Sequence, residues 1–233
     1  MSTLALSLDQ LPLQRASALP APTGVIRGSD IKQHYHPTLS GLIPLLGGYG
    51  LKRSVPYLVE SSTSLALAML AGASAAGAWS AIVGMPQLGT QAAAAMGIDL
   101  ERLALVPDPG HRWLDVVAIL CDALDVVLVR APGQPRPADV GRISARLRGR
   151  GCTLIVLGQS WPGAYQRLTI GRSTWLGMGQ NGHGHLAARH ALVTASGKGA
   201  PHVEHLWLPA PDGTVRRYIG DASASSDRLR LVP

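Results

Sequence analysis

Lys52 to Leu70, KRSVPYLVESSTSLALAML, is the stretch from which the rest of the chain is read. Ser54 to Val59 predicts a short buried strand, and Leu65 to Leu70 opens an Ala/Leu-rich run that predicts a helix. Between them lies Glu60-Ser61-Ser62-Thr63-Ser64. A nucleotide-binding protein carries a phosphate loop in such a setting. Its glycines let backbone N–H groups wrap the phosphates, its lysine reaches the terminal phosphates, and its Ser/Thr holds magnesium. This loop keeps the hydroxyls and the strand–turn–helix setting, with neither glycine nor lysine. By itself, SST ahead of a helix is an N-cap signal.

The 233 residues suffice for one sizeable domain or two small ones. Hydrophobic residues make up 46% and charged residues 15%, which allows a real core and argues against global disorder. Phe is absent, so Leu, Val, Ile and Ala must build that core. Ser, Gly and Pro break every apolar run below membrane-spanning length. The N-terminus lacks the basic and apolar regions of a signal peptide, and Cys121 and Cys152 fall in predicted buried elements with no disulfide framework. A soluble cytoplasmic protein without a membrane partner is expected. The net charge of +7 is unevenly placed: Val126 to His202 holds ten Lys/Arg against Asp139 alone. Such a region suits a phosphate backbone or an acidic protein surface. Arg outnumbers Lys eighteen to three, which a GC-rich genome produces without selection for phosphate contact.

Outward from the central stretch, strands are expected at Ala78 to Val83, Leu103 to Val106, Val126 to Val129 and Cys152 to Leu157. Helices are expected at Gly89 to Met96, His111 to Leu124 and Ala138 to Arg148, with a turn at Ile98 to Leu100. This alternation predicts an α/β fold with a mainly parallel sheet flanked by helices. Beyond Trp161, Arg167 to Ile170, His185 to Ala195 and Val203 to Leu208 alternate apolar and polar residues and predict an antiparallel extension of the sheet. Residues 1–38 read as an N-terminal arm, 39–210 as the core and 211–233 as a polar, Ser/Arg-rich tail.

The order of these segments resembles the RecA ATPase core. Leu45-Leu46-Gly47-Gly48-Tyr49-Gly50-Leu51 followed by Lys52-Arg53 is similar to its LGGGLPRG opening, and the loop before Ser64-Leu65-Ala66-Leu67 stands where RecA has GKTTLAL. Ala95 to Leu103 resembles LGVDIDNL, and Ala123 to Val129 resembles the Walker B strand VDVVVVD. The resemblance runs from about Leu39 to Leu208 and implies a RecA-like core with antiparallel C-terminal strands. An active member needs a P-loop lysine, a Walker B acid for magnesium and a glutamate that activates water. Ser62 stands at the lysine, Arg130 at the end of the Walker B strand and Met85 at the glutamate. The resemblance therefore implies a fold kept without ATP hydrolysis. Its degenerate nucleotide site comprises Glu60, Ser61, Ser62, Thr63, Met85 and Arg130, and it has no cofactor.

RecA-like cores without an ATPase resemble two bacterial groups: the ImuA translesion-synthesis accessory proteins, including a shorter actinobacterial form, and the SulA division inhibitors. Val106-Pro107-Asp108-Pro109-Gly110 with Trp113, the run Arg146 to Gly151, and Trp161-Pro162-Gly163 are similar to the actinobacterial ImuA form. That resemblance implies a DNA-damage-inducible complex. Its other members are ImuB, an inactive Y-family polymerase relative, and an error-prone C-family polymerase, with RecA and DNA as further candidate partners. A SulA-like inhibitor and a weak ATP- or DNA-binding RecA homologue are the alternatives.

Arg142, Arg146 and Arg150 recur every fourth residue and line one helical face, with Arg148 off that line. With Arg189 and Lys198 they are the candidate DNA or partner contacts; Arg216, Arg217, Arg228 and Arg230 are candidate contacts in the tail. The competing reading is a solvated basic face. Arg130, at the C-terminal edge of a parallel sheet, is expected to pair with Glu60 across the emptied nucleotide site. His183, His185, His190, His202 and His205 lack the spacing of a zinc motif, and Asp115, Asp122 and Asp125 read as solvated helix positions. Neither cysteine lies in a His-paired motif and no nucleophile elbow is present, so the chain is expected not to be an enzyme.

Overall fold

The computed structural model describes residues 33–178, 184–197 and 200–219. A two-stranded ribbon, β1 (Tyr35–His36) with β2 (Leu51–Lys52), leads into the core. The core elements follow in chain order: β3 (Pro56–Val59), α1 (Thr63–Ala75), β4 (Ser80–Val83), α2 (Thr90–Ala95), β5 (Leu103–Val106), α3 (Trp113–Ala123), β6 (Val126–Arg130), α4 (Pro137–Arg150) and β7 (Thr153–Leu157). Four more strands close the sheet: β8 (Gln166–Met178), β9 (Gly184–Gly197), β10 (His202–Trp207) and β11 (Arg216–Arg217). The nine-stranded sheet has the order β11-β10-β9-β8-β3-β7-β6-β4-β5. Pairings from β8 through β3 to β5 are parallel, and those from β8 to β11 are antiparallel.

The expected α/β class, with a mostly parallel sheet and antiparallel C-terminal strands, is therefore found. Element ends move by a few residues for local reasons. The first strand starts at Pro56, because Ser54 sits at φ 66 in the turn that follows β2. The first helix starts at Thr63, two residues early, because Ser62 caps it. The basic helix runs two residues beyond Arg148, to Arg150, and stops where Gly151 takes a left-handed conformation (φ 78). Tyr35 and His36 of the expected arm pair with β2, and Arg216 and Arg217 of the expected tail add an edge strand to β10.

Strand residues alternate between two apolar layers, as a pleated sheet covered on both faces requires. Tyr57, Val59, Ile82, Val126, Leu128, Ile155 and Leu157 join α1 and Ala93 of α2 on the first side. Leu58, Ala81, Val83, Val127, Val129, Leu154 and Val156 join α3 and α4 on the second. Helix α1 is buried without a break from Leu65 to Ser74, because residues 38–46 lie across its outer surface. Leu42, Leu45 and Leu46 are buried in the same layer. A Cβ at Gly72 would stand 2.4 Å from the Thr38 backbone. A helix covered on both sides needs no polar stripe, which explains the Ala/Leu run. Among the described residues no helix is long and apolar enough to cross a membrane.

Candidate functional site

The loop after β3 is built from its own hydroxyls. Ser61 takes a positive φ of 54, and Ser62 is buried as the N-cap, its Oγ accepting the Leu65 N–H at 3.3 Å. The Ser62 side chain is thus committed to the helix at the position a phosphate-binding lysine occupies in the resembled family. Thr63 Oγ1 accepts from Arg130 Nη2 at 2.9 Å. Arg130 ends β6, and its exposed guanidinium reaches over the edge of the sheet to the loop. Glu60 pairs instead with Arg167, at 2.5 Å, so the expected Arg130–Glu60 ion pair is not formed. Strand order gives the reason. β8 lies directly beside β3, with the Glu60 N–H bonded to the Leu168 carbonyl, whereas β7 separates β3 from β6. Met85 turns its thioether into the first apolar layer and can transfer no proton.

An open cleft of about 700 Å³ adjoins this loop at the C-terminal ends of β4, β5 and β6. Its walls include Gly84, Pro107, Asp108, His111, Trp113 and Arg130. Position follows from topology. The connections leaving β3 and β4 pass over the first side and those leaving β5 and β6 over the second. They diverge between the neighbouring strands β4 and β6, where ligand crevices form in such sheets. Gly84 permits the close approach there: at φ 74, an added Cβ would stand 2.8 Å from the Arg130 carbonyl oxygen. Asp108 Oδ1 accepts the Gly110 N–H at 3.0 Å, and the second carboxylate oxygen keeps its acceptor capacity beside Arg130 and the His111 imidazole. Trp113 closes the floor, edge-on to the buried Trp161 at 6.4 Å. Asp108, His111 and Trp113 were not singled out as site residues from sequence; the Pro-Asp-Pro-Gly turn at a strand end was their only signal.

The arginine row of α4 has a different fate from the one its spacing suggests. Helices α3 and α4 lie side by side, and Asp115 and Asp122 face the row. Arg142 bonds Asp139 at 3.2 Å and Asp115 at 3.5 Å, Arg146 pairs with Asp122, and Arg150 approaches Asp122 at 3.9 Å. Arg112 also reaches Asp115, at 3.1 Å. Asp115 and Asp122 are therefore ion-pair partners, which corrects their reading as solvated positions. Asp125 accepts the Trp79 N–H at 3.0 Å and lies 3.7 Å from Arg53. Arg148 is exposed and off the row. Arg189 bonds Ser173 Oγ at 3.0 Å and lies over the Trp175 ring at 5.6 Å. Arg216 pairs with Asp212 and Arg217 with Glu204. Lys198, Arg228, Arg230 and His183 lie outside the described residues.

Two histidines that the sequence left as incidental do meet. His190 Nε2 and His205 Nδ1 are 3.0 Å apart, and Tyr218 and Trp207 join them. Burial, and then the neighbouring His205, lower the His190 pKa. Among the described residues no group of three or more His, Cys, Asp or Glu is placed to hold a metal.

The MT3502 N-terminal domain family matches residues 44–163, just over half of the chain. The match begins before β2 and ends between β7 and β8, so it holds the parallel half of the sheet, the hydroxyl loop and the cleft. The chain is also 39% identical over 133 residues to the uncharacterized protein Rv3395c of Mycobacterium tuberculosis. That alignment takes in 57% of this chain and spans 65% of the relative, just under two thirds of its length. With more than half of its residues inside the family's bounds, this chain belongs to the MT3502 N-terminal domain family.

Proposed function

We propose that this chain is a non-catalytic, RecA-like accessory protein of a cytoplasmic translesion-synthesis complex, related to the actinobacterial ImuA form. Its direct partner in this reading is an ImuB-like inactive Y-family polymerase homologue. An error-prone C-family polymerase joins through the complex, with RecA and DNA as further contacts. The carrying observation is the hydrogen bond from Arg130 to Thr63. Two places where an active member would hold magnesium, the end of the Walker B strand and the loop threonine, are bonded to each other. Ser62, in the lysine's place, caps α1. Protein side chains thus satisfy the groups that a nucleotide and its metal would use. The central position of β3, with the loop at its C-terminal end, supports the RecA-like reading of the segment order. A mycobacterial relative supports the actinobacterial one.

Thermal unfolding with and without magnesium-ATP, beside a pull-down with the ImuB-like partner, tests the proposal. A ligand stabilises only the state it binds. The expected result is no shift in Tm with ATP and capture of the partner. A rise of several degrees with ATP would restore the enzyme reading, and failure to capture the partner would remove the complex.

A further inference from the structure

Two opposite charges line the cleft at the C-terminal ends of β4, β5 and β6 without meeting each other. Asp108 lies in the connection that follows β5, and Arg130 ends β6. Strand β4 runs between β5 and β6, and Gly84, which follows it, puts no side chain into the gap. The two charges therefore rise from walls two strand spacings apart, roughly 10 Å at the backbone. Among the described residues neither makes an ion pair, with the other or with a third group.

Each charge is nevertheless held in place. Asp108 Oδ1 accepts the Gly110 N–H at 3.0 Å, and Arg130 Nη2 donates to Thr63 Oγ1 at 2.9 Å. Both of these partners are neutral. They fix where the charges sit and leave them uncompensated. Asp108 keeps its second oxygen as an acceptor, and Arg130 keeps all but one of its N–H donors. The exposed His111 imidazole, on the same wall as Asp108, adds a group that can donate or accept. Much of the remaining lining is apolar, with Pro86, Pro107 and Pro132 around the Trp113 floor.

This wall chemistry selects an occupant. An anion by itself is drawn to Arg130 but meets the Asp108 carboxylate, and a cation by itself is drawn to Asp108 but meets the guanidinium. In either case the like-charge contact offsets the opposite one. A ligand that carries both charges a few bonds apart satisfies both walls. The cleft, at about 700 Å³, has the size of a small-molecule site, and its proline and tryptophan surface suits an apolar group.

We propose that the cleft binds a small zwitterion of the α-amino-acid type with an apolar side chain. Its carboxylate lies on Arg130, its ammonium group on Asp108 and its side chain over the prolines and Trp113. The site goes beyond the proposed accessory role and does not depend on it, since binding of this kind requires no catalysis.

Both charged side chains are exposed, so their contacts are partly screened and the test has to read weak binding. Amide and indole NMR shifts of the full chain, titrated with L-leucine, do so and locate the site. The Gly84, Gly110 and Arg130 amides and the Trp113 indole should shift and saturate. Leucinamide lacks the carboxylate and N-acetylleucine lacks the ammonium group; each should bind about tenfold more weakly or worse, the loss expected for a hydrogen bond between charged groups. Arg130→Gln, which keeps a donor for Thr63, should bind leucine and leucinamide alike. Asp108→Asn, which keeps an acceptor for the Gly110 N–H, should bind leucine and N-acetylleucine alike. Cooperative thermal unfolding of each variant shows that it is folded. The proposal would be overturned by no saturable shift in the cleft with leucine, by either analogue binding the parent chain as tightly as leucine, or by folded variants that keep the parent's preferences.

Discussion

His36 shows how one residue ties the entry ribbon to the pH response of the whole chain. Its side chain is 1% exposed, and its Nε2 has no hydrogen-bond partner among the described residues. Burial, then the Arg53 guanidinium, lower its pKa from 6.5 to about 4, against a weaker opposing pull from Asp125. The unfolded chain therefore binds a proton at His36 below about pH 6.5, while the folded chain refuses it until about pH 4. The stabilisation is fully present above the unfolded value and is lost as pH falls through that window. At 1.36 kcal/mol per unit this amounts to roughly 3 kcal/mol. Urea unfolding between about pH 7 and pH 4.5 should show the loss, and His36→Gln should flatten it. A parent profile as flat as the variant's would contradict the assignment. At the same scale, Arg130 is exposed and its bond to Thr63 is solvent-accessible. The bond ties the end of β6 to the hydroxyl loop without contributing much to stability.

At the scale of elements, two glycines in helices play opposite parts. Gly72 in α1 lies under the Thr38 backbone, where a Cβ would come within 2.4 Å, while Gly141 in α4 has nothing within 4 Å. Gly72→Ala should therefore destabilise the fold by about 1–3 kcal/mol through overpacking. Gly141→Ala should stabilise it by roughly 0.5–1 kcal/mol through helix propensity and lost unfolded-state entropy. Denaturant midpoints of the two variants should move in opposite directions, and movement in the same direction would refute the packing account of α1. The α3–α4 zipper gives a third element-scale prediction. Arg146 and Asp122 retain 40% and 33% side-chain exposure. A double-mutant cycle with Arg146→Ala and Asp122→Ala should give a coupling below about 1 kcal/mol that shrinks further in high salt. A coupling of several kcal/mol would mean the pair is more desolvated than its exposure indicates.

At the scale of the whole molecule, the chain joins a parallel half, which holds the hydroxyl loop and the cleft, to an antiparallel half with one face that no described helix covers. The family match follows that division, ending at residue 163. The alternation of apolar runs with helical segments was enough to predict the α/β class, because strands buried on both faces have to be apolar throughout. That Ser62, Arg130 and Met85 carry neither a lysine's amine nor a carboxylate could likewise be read directly, since a side chain's type does not depend on folding. The cap at Ser62 was legible for a similar reason, being an interaction between residues three apart. Partnership across strands was not legible. Glu60 meets Arg167 and not Arg130 because strand order, set by tertiary packing, puts β8 beside β3. The α4 row meets acids on a helix that precedes it by one strand, and His190 meets His205 only through the register of β9 with β10. The sequence by itself determined which elements form and which side-chain types stand in the loop and at the strand ends, because periodicity and side-chain type are local. Only the tertiary structure decided which charges remain free and where the rings gather, because those depend on contacts between residues far apart in the chain.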